Sequence, residues 1–240
     1  MRPPQIAATW RCLVFIVSLL PITAQALGIR THWMVAEYTI PFIAAEGETE
    51  LAALLENHRD ALYCGAMSPD FAHVWAQGLT SATHSSAWVE AHIDVLREVV
   101  DYPFSEAEQQ EIAFLMGCAA HVYGDRPWHG SYDPDAFLNI AVIEDNTNEG
   151  EIEYGTDIFM IFEEGEFPLA PDYYWPLDTW VQVFHQLGQT QVTLDTVQQG
   201  ANVLQLGIAG ENATSLFTYL ALLVMLPFTH DNYQYYDPCG

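Results

Sequence analysis

The spacing of apolar residues constrains this chain more than any other feature of its sequence. Along most of the 240 residues, apolar side chains recur at intervals of three and four, the spacing that puts them on one face of an α-helix. No convincing pair of alternating strands appears. We therefore predict an all-α fold. The predicted helices are Thr31 to Ala45, Glu48 to Cys64, Ser86 to Val100, Ser105 to Arg126, Gly155 to Glu164, Asp178 to Leu187 and Glu211 to Leu226.

Two long loops are expected between these helices. Gly65 to Thr83 and Gly130 to Gly150 are rich in Pro, Gly, Asp and Asn, and are long enough to be functional segments rather than simple connections. Ser105, three residues before Glu108, predicts a capping box at a helix start. No linker, low-complexity tract or repeat divides the chain, so we expect one multi-helix domain over residues 27–240.

The first 26 residues have the organisation of an export signal. Arg2 and Arg11 supply positive charge, Cys12 to Leu20 is a short apolar core, and Ala24-Gln25-Ala26 fits a small-x-small cleavage site. The alternative is a transmembrane helix, but the apolar run is too short to span a bilayer. We expect a mature chain that starts at Leu27, has no transmembrane anchor and is secreted, or periplasmic if the source is bacterial.

The charge of the chain is strongly acidic. All six basic residues are arginines, against 32 acidic residues, and two of the arginines lie in the predicted signal. Such a surface repels polyanions, so we do not expect nucleic acid as a partner, nor binding to anionic membranes through a basic patch. Adaptation to salt explains the acidity at least as well as a functional role, although bound divalent cations could offset part of it.

Three cysteines remain after removal of the predicted signal, namely Cys64, Cys118 and Cys239. An odd number permits at most one internal disulfide. Their spacing does not match a zinc-binding knuckle, and we assign them no catalytic role.

Residues 121–129 read His-Val-Tyr-Gly-Asp-Arg-Pro-Trp-His. On a helix, His121 and Asp125 share a face and can bind the same ion. Imidazole and carboxylate together are typical zinc ligands. Pro127 disfavours helical geometry at Arg126, so we predict that the helix ends there and that His129 folds back toward a neighbouring ion. The spacing suits a site for several metal ions.

Four other stretches place His or carboxylate where helices meet loops. Each alone has an ordinary explanation, because a lone His is more often a cap or a core residue and Pro-Asp is common in turns. Together they favour a metal site. The stretches are Gly28 to His32, Met67 to Phe71, Thr83 to Trp88 and Glu149 to Asp157. Surface or core roles are expected for the remaining histidines, which are His58, His73, His92, His185 and His230.

These stretches resemble the zinc-dependent phospholipase C superfamily, and within it the amino-terminal catalytic domain of glycosylphosphatidylinositol-specific phospholipase D. The resemblance covers roughly residues 27–160. Its motifs are LGIRTH at 27–32, ENHRDALYCG at 56–65, PDF at 69–71, TH at 83–84, AFLMG at 113–117 followed by the run at 121–129, and EYGTD at 153–157. It implies an all-α fold of the zinc-dependent phospholipase C and P1 nuclease type.

The resemblance also implies two or three zinc ions in a cleft among the helices. His84, His121 and Asp125 match the ligands of one ion, with Asp125 bridging to a second ion that is held by His32. Members of the superfamily can use the new amino terminus as a ligand of this second ion. The α-amino group and carbonyl of Leu27 are therefore candidates, although Leu27 is closer to His32 than in the bacterial phospholipases.

The third ion is where the chain departs from the family pattern. His129 matches one ligand, and the expected His-x-x-x-Glu/Asp pair aligns with Glu149 and Glu153. Glu149 is a harder and more anionic ligand than imidazole, which could weaken zinc binding or favour another divalent ion. An intact site, a two-metal site and loss of activity stay open, as does a solvated acidic loop at these glutamates. Asp70 matches the family's non-ligand carboxylate, which orients the metal-bridging water or takes its proton as general base.

The function implied by the resemblance is that of an exported, metal-dependent phosphodiester hydrolase of the phospholipase C/D type. Its substrate would be a phospholipid or glycolipid head group, attacked at phosphorus by metal-activated water. Which P–O bond breaks and the oligomeric state are left open. One alternative is a single-strand nuclease or phosphomonoesterase of the related three-zinc class. The other is a catalytically impaired metal-binding protein, suggested by Glu149.

Overall fold

The computed structural model describes residues 28–129, 156–157 and 171–210, and every regular element within them is helical. The all-α prediction is therefore confirmed. The α-helices are α1 Ile29–Ala45, α2 Thr49–Asn57, α3 Arg59–Met67, α4 Phe71–Val74, α5 Thr80–Thr83, α6 Ser86–Val99, α7 Glu106–His129, α8 Leu177–Gln186 and α9 over residues 194–210, with 3₁₀ turns at Ser68–Asp70 and Gln77–Leu79.

Local sequence signals account for several helix ends. The predicted capping box is present at the start of α7, where the Ser105 amide donates to Glu108 Oε2 at 2.6 Å and the Glu108 amide donates to Ser105 Oγ at 3.4 Å. At the end of α1, Gly47 has a φ of 96°, which a residue with a side chain rarely adopts. The Gly47 and Glu48 amides donate back to the carbonyls of Ala44 and Ile43, which closes the helix with a Schellman motif.

Two predicted segments differ in the structure. The helix predicted over Glu48 to Cys64 is broken at His58, where φ is −121° and ψ is 39°. The break is not visible in the sequence because apolar spacing continues through it. The loop predicted over Gly65 to Thr83 consists largely of short helices and 3₁₀ turns, because its Pro and Gly residues begin new turns rather than an extended connection.

The end predicted for α7 at Arg126 is wrong. The helix contains Pro127 and continues to His129. A proline in a helix removes one amide donor, here the donor to the Tyr123 carbonyl. Pro127, Tyr123 and Arg126 lie on the exposed face of α7, where water can replace that hydrogen bond, so the helix is not broken.

Helix α9, over residues 194–210, was not predicted from the sequence. Of the predicted helix 155–164 the structure describes only residues 156–157, which are helical. The predicted helix 211–226, the predicted loop 130–150 and the predicted signal lie outside the described residues.

A close crossing of α3 and α7 lies at the centre of the fold. A Cβ on Gly65 would overlap the Phe114 carbonyl, and a Cβ on Gly117 would overlap the Leu62 carbonyl, so the two helix backbones are in direct contact. Helix α7 also packs against α1 and α6. It is therefore the element against which the other helices are positioned.

An aromatic core fills the space between α6, α7 and α8. Trp88 and Phe184 have ring centroids 4.7 Å apart, and Trp180 lies 5.4 Å from Phe71 and 5.7 Å from Phe114. All five side chains are buried almost completely, and burial of such large apolar surfaces is the main favourable contribution to folding. Among the described helices, none has the length and apolar character needed to cross a membrane.

Candidate metal centre

Four separate segments bring imidazoles and carboxylates together beside the α3–α7 crossing. His32 lies in the first turn of α1, Asp70 ends a 3₁₀ turn, His84 follows α5, and His121 and Asp125 face inward from α7. His32 and His121 are fully buried, and the two carboxylates are 8% exposed. Burial of this many ionisable groups is costly unless they neutralise one another or bind an ion.

Asp125 lies between the three histidines. Its Oδ2 atom is 3.1 Å from His121 Nε2 and 3.9 Å from His84 Nε2. Its Oδ1 atom is 3.6 Å from His32 Nε2. One carboxylate oxygen therefore faces the His84 and His121 pair, and the other faces His32.

Asp70 approaches the same imidazoles from another side. Its Oδ1 atom is 3.3 Å from His84 Nε2 and 3.8 Å from His121 Nε2. The potential ligand atoms form two overlapping groups, one of His32, His121 and Asp125 and one of Asp70, His84 and His121, and within each group they lie within 4.8 Å of one another. The two groups share His121.

Backbone carbonyls orient two of the imidazoles. His121 Nδ1 donates to the Ala66 carbonyl at 2.6 Å, and His84 Nδ1 donates to the Thr80 carbonyl at 3.1 Å. Because these bonds use the Nδ1 protons, each Nε2 is left as the atom that faces the carboxylates. Hydrogen bonds of this kind fix the tautomer and the direction of histidine ligands at metal sites.

The His32 ring is held differently. It stacks on the His121 ring with centroids 3.7 Å apart and planes 12° apart. Burial, together with the neighbouring His121 charge, lowers the pKa of His32 to about 3. His32 is therefore neutral at physiological pH, which is the form that binds a metal ion.

The pKa values of His121 and Asp70 move in opposite directions. Burial opposes the charged form of His121, but the negative charges of Asp125 and Asp70 outweigh it and raise its pKa to about 9. Burial also opposes ionisation of Asp70, but the positive charge of His121 and the smaller contributions of His84 and His32 together outweigh it and lower the Asp70 pKa. The two carboxylates thus stabilise a positive charge at the point where the Nε2 atoms of the imidazoles come together.

The donor set fits a divalent metal ion. Neither ring nitrogen of His32 has a hydrogen-bond partner among the described residues. Buried polar atoms usually have a partner, so these nitrogens point to a missing group between the rings and the carboxylates. Imidazole nitrogen and carboxylate oxygen in such a group are ligands typical of zinc.

Four predicted ligands are not tested by this geometry. Leu27, Glu149 and Glu153 lie outside the described residues. His129 is the last residue of α7, and its side chain also lies outside the description. The predicted third ion stays a prediction.

Two features near the centre were not predicted from the sequence, the position of His73 and the contact of Asp157. His73, expected to have an ordinary surface or core role, is half-buried with its ring 4.8 Å from that of His84, and burial lowers its pKa. The signal was the three-residue interval from Asp70, which puts both residues on one side of a helical turn. Asp157 is fully buried and accepts hydrogen bonds from the first turn of α1, a contact that no local pattern reveals.

Membership of a protein family is shown by a sequence match that includes the residues of this centre. Residues 31–165, more than half of the chain, match the family described as zinc dependent phospholipase C. The chain belongs to this family. The resemblance found in the sequence motifs is thereby confirmed. The matched range includes every residue of the two groups of potential metal ligands in this zinc-dependent phospholipase C family member.

Several curated relatives of this family member are similar over almost its whole length. Phosphatidylinositol-glycan-specific phospholipase D of Bos taurus is 23% identical over 95% of the chain and 29% of its own length. The Homo sapiens protein of the same name is 22% identical over 95% of the chain and 29% of its own length. The Dictyostelium discoideum protein is 25% identical over 97% of the chain and 25% of its own length.

The chain thus spans less than a third of the length of these relatives. No solved structure matches the chain significantly.

Proposed function

We propose that the chain is an exported, metal-dependent phosphodiester hydrolase of the phospholipase C/D type. The observation that carries the proposal is the buried cluster of three imidazoles and two carboxylates, in which the His32 ring nitrogens have no hydrogen-bond partner within the described part of the chain. Family membership supports zinc as the metal. The names of the relatives support a phospholipid or glycolipid head group as the substrate.

We assign the described residues to two zinc ions. His84, His121 and Asp125 Oδ2 would hold the first ion, and His32 with Asp125 Oδ1 would hold part of the second. The bridging role of Asp125 is supported by the opposite directions of its two oxygens. We further propose the amino group and carbonyl of Leu27 as ligands of the second ion.

A third ion would be held by His129, Glu149 and Glu153. This assignment rests on the sequence motifs alone, and Glu149 makes its affinity for zinc the weakest of the three. Signal cleavage after Ala26 is part of the same proposal, because it creates the amino terminus at Leu27 and leaves residues 27–240 as the catalytic domain.

Zinc held by these residues would lower the pKa of a water molecule and would neutralise charge on the phosphodiester. Asp70 is the residue that we assign as general base. Its lowered pKa keeps it ionised at neutral pH, and an ionised carboxylate can accept a proton. Hydrolysis forms a bond from the water oxygen to phosphorus and breaks one ester P–O bond. The water proton passes to Asp70, and the departing oxygen takes up a proton.

The competing function is a nuclease or phosphomonoesterase of the related three-zinc class. The chain has 32 acidic residues and six basic ones, so it would repel a polyanion. A single phosphodiester on a lipid head group carries far less charge than a nucleic acid strand. We therefore favour the lipid substrate.

The test combines elemental analysis with a substrate panel. Protein beginning at Leu27 is assayed for zinc and for hydrolysis of phosphatidylcholine, a phosphatidylinositol glycolipid, single-stranded DNA and p-nitrophenyl phosphate. We expect at least two zinc equivalents and hydrolysis of a lipid that a chelator abolishes. Metal-loaded protein that is inert toward every substrate would reject the enzymatic assignment, and preference for DNA or the monoester would reject the lipid assignment.

Three variants separate the roles of the acidic residues. Asp125→Asn should lose both zinc and turnover. Asp70→Asn should retain zinc and lose roughly 10²–10⁴-fold in turnover, the usual effect of a missing general base. Asp94→Asn is the matched control, since Asp94 is an exposed carboxylate of α6 paired with Arg97, and it should behave as the parent. Loss of zinc in Asp70→Asn would make Asp70 a ligand instead.

A further inference from the structure

Asp157 is a buried carboxylate whose contacts reach across the chain. Its Oδ2 accepts the Arg30 amide at 3.1 Å, and its Oδ1 accepts the Thr31 amide and the Thr31 hydroxyl, both at 2.9 Å. Asp157 is fully buried, and Arg30 and Thr31 are also buried. Buried hydrogen bonds to a carboxylate are stronger than those between neutral groups.

These contacts take the place of a local helix cap. Helix α1 begins at Ile29, and its N-cap residue Gly28 makes no side-chain capping hydrogen bond. The amides of Arg30 and Thr31 are the second and third of the helix, the two that an N-cap side chain normally satisfies. A negative carboxylate at this end also interacts favourably with the helix dipole.

Gly28 leaves room for the carboxylate. A Cβ at this position would overlap the Asp157 side chain. The first turn of α1 and Asp157 are thus in direct contact, although more than 120 residues separate them.

The capped turn carries His32. This residue directly follows Thr31, and its amide donates to the Gly28 carbonyl at 3.2 Å. The ring nitrogens of His32 have no hydrogen-bond partner among the described residues, in contrast to the His121 and His84 rings, which carbonyls orient. The direction of the His32 ring therefore depends on the backbone of the first turn and on its stacking against His121.

We propose that Asp157 is a positioning residue for His32. By holding the first turn of α1, it keeps His32 Nε2 facing Asp125 and so sets the affinity of the ion bound by His32 and Asp125. This inference rests on the proposed function. The ion assigned to His84, His121 and Asp125 has no ligand from α1, so it should be far less sensitive to Asp157.

The experiment is a double-mutant cycle on zinc affinity. Zinc is titrated against a competing chelator in the parent protein, Asp157→Asn, His32→Ala and the double variant. We expect Asp157→Asn to weaken one ion about 10–100-fold, the usual effect of losing a residue that orients a ligand. In the His32→Ala background, Asp157→Asn should add nothing further, because its effect passes through His32.

Three further variants distinguish an effect on zinc affinity from a general loss of protein stability. Thr31→Val removes only the hydroxyl donor and should weaken the same ion less than Asp157→Asn does. Thr39→Val is its matched control, since the Thr39 hydroxyl on the same helix donates to the Ala36 carbonyl, and it should leave zinc affinity unchanged. Val95→Ala lowers stability by removing buried apolar atoms from α6, and it too should keep both ions.

The results of these experiments distinguish failure of the positioning role of Asp157 from failure of the proposed function. Equal zinc affinity in the parent and Asp157→Asn overturns the positioning role, as do additive losses in the double variant. If Asp157→Asn does not fold, parental zinc affinity in Thr31→Val overturns the role. A parent protein that binds no zinc overturns the proposed function and the positioning role together, and this result is recognised before any variant is compared.

Discussion

The buried imidazole of His92 makes the stability of the protein depend on pH in a way that can be calculated. His92 lies in the core beside Trp88 and Phe114, apart from the candidate metal centre. Burial lowers its pKa to about 3, whereas a histidine in an unfolded chain titrates near a pKa of about 6.5. Between these values the unfolded chain binds a proton that the folded protein does not bind. The stabilising contribution of neutral His92 is therefore complete above about pH 6.5 and is lost as the pH falls toward 3.

The size of the effect follows from the same two pKa values. Each pH unit well below 6.5 costs about 1.4 kcal/mol per group, so the fall from pH 7 to pH 5 should cost about 2 kcal/mol through His92. His92→Leu removes this titration and keeps an apolar side chain in the core. The free energy of unfolding in urea, measured at both pH values, should thus fall about 2 kcal/mol less in His92→Leu than in the parent protein.

Val95→Ala supplies the control for this measurement. It also changes a buried residue of α6 but introduces no change in titration, so its destabilisation should be the same at pH 7 and pH 5. Equal losses of stability in His92→Leu and the parent protein between the two pH values would show that His92 does not titrate as proposed.

Three further predictions concern the helices and the metal. Gly117→Ala should lower the free energy of unfolding by about 1–3 kcal/mol or more, because its Cβ overlaps the Leu62 carbonyl; an unchanged urea midpoint would contradict the close crossing. Ser105→Ala should cost about 1 kcal/mol in the same assay by removing the α7 cap, and no loss would mean that the cap contributes nothing. EDTA should lower the melting temperature of the parent protein in scanning calorimetry but not that of Asp125→Asn, and equal shifts would argue against Asp125 as a ligand.

The helices were predictable from the sequence where buried apolar residues recur at the helical spacing without interruption. Helices α1, α6 and α7 were located within three residues at each end, because their apolar residues follow the helical period throughout. The break at His58 was hidden for the same reason, since the period continues across it. The break is accompanied by a tertiary contact of His58, whose Nε2 lies 3.3 Å from Gln109 Oε1. A contact of this kind is not visible in the local sequence.

Helix α9 was missed because polar residues and glycines interrupt its apolar pattern. Its buried residues Val197, Ala201, Leu204 and Ile208 follow the helical spacing, but glutamines and glycines between them weaken the pattern. Gly200 is needed there, since a Cβ would overlap the Phe71 ring. A narrow apolar stripe among polar residues and glycines carries little periodic signal in a single sequence.

The candidate site was predictable only in part from local spacing. His121 and Asp125 are four residues apart on one helix, and this interval alone predicted a shared ion. His32, His84 and Asp70 come from three other segments, and only the resemblance to a family connected them. The proximity of His73 and the contact of Asp157 with α1 depend on tertiary packing, which a single sequence does not contain.

X-ray absorption at the zinc edge tests the central claim most directly. In zinc-loaded protein we predict nitrogen and oxygen ligands at about 2.0–2.2 Å, with the scattering pattern of imidazole rings, and a reduced zinc content in Asp125→Asn. The described cysteines, Cys64 and Cys118, are buried free thiols, and burial raises the pKa of each to about 12, so neither should bind zinc. A sulfur shell at about 2.3 Å, or zinc without imidazole ligands, would contradict the account.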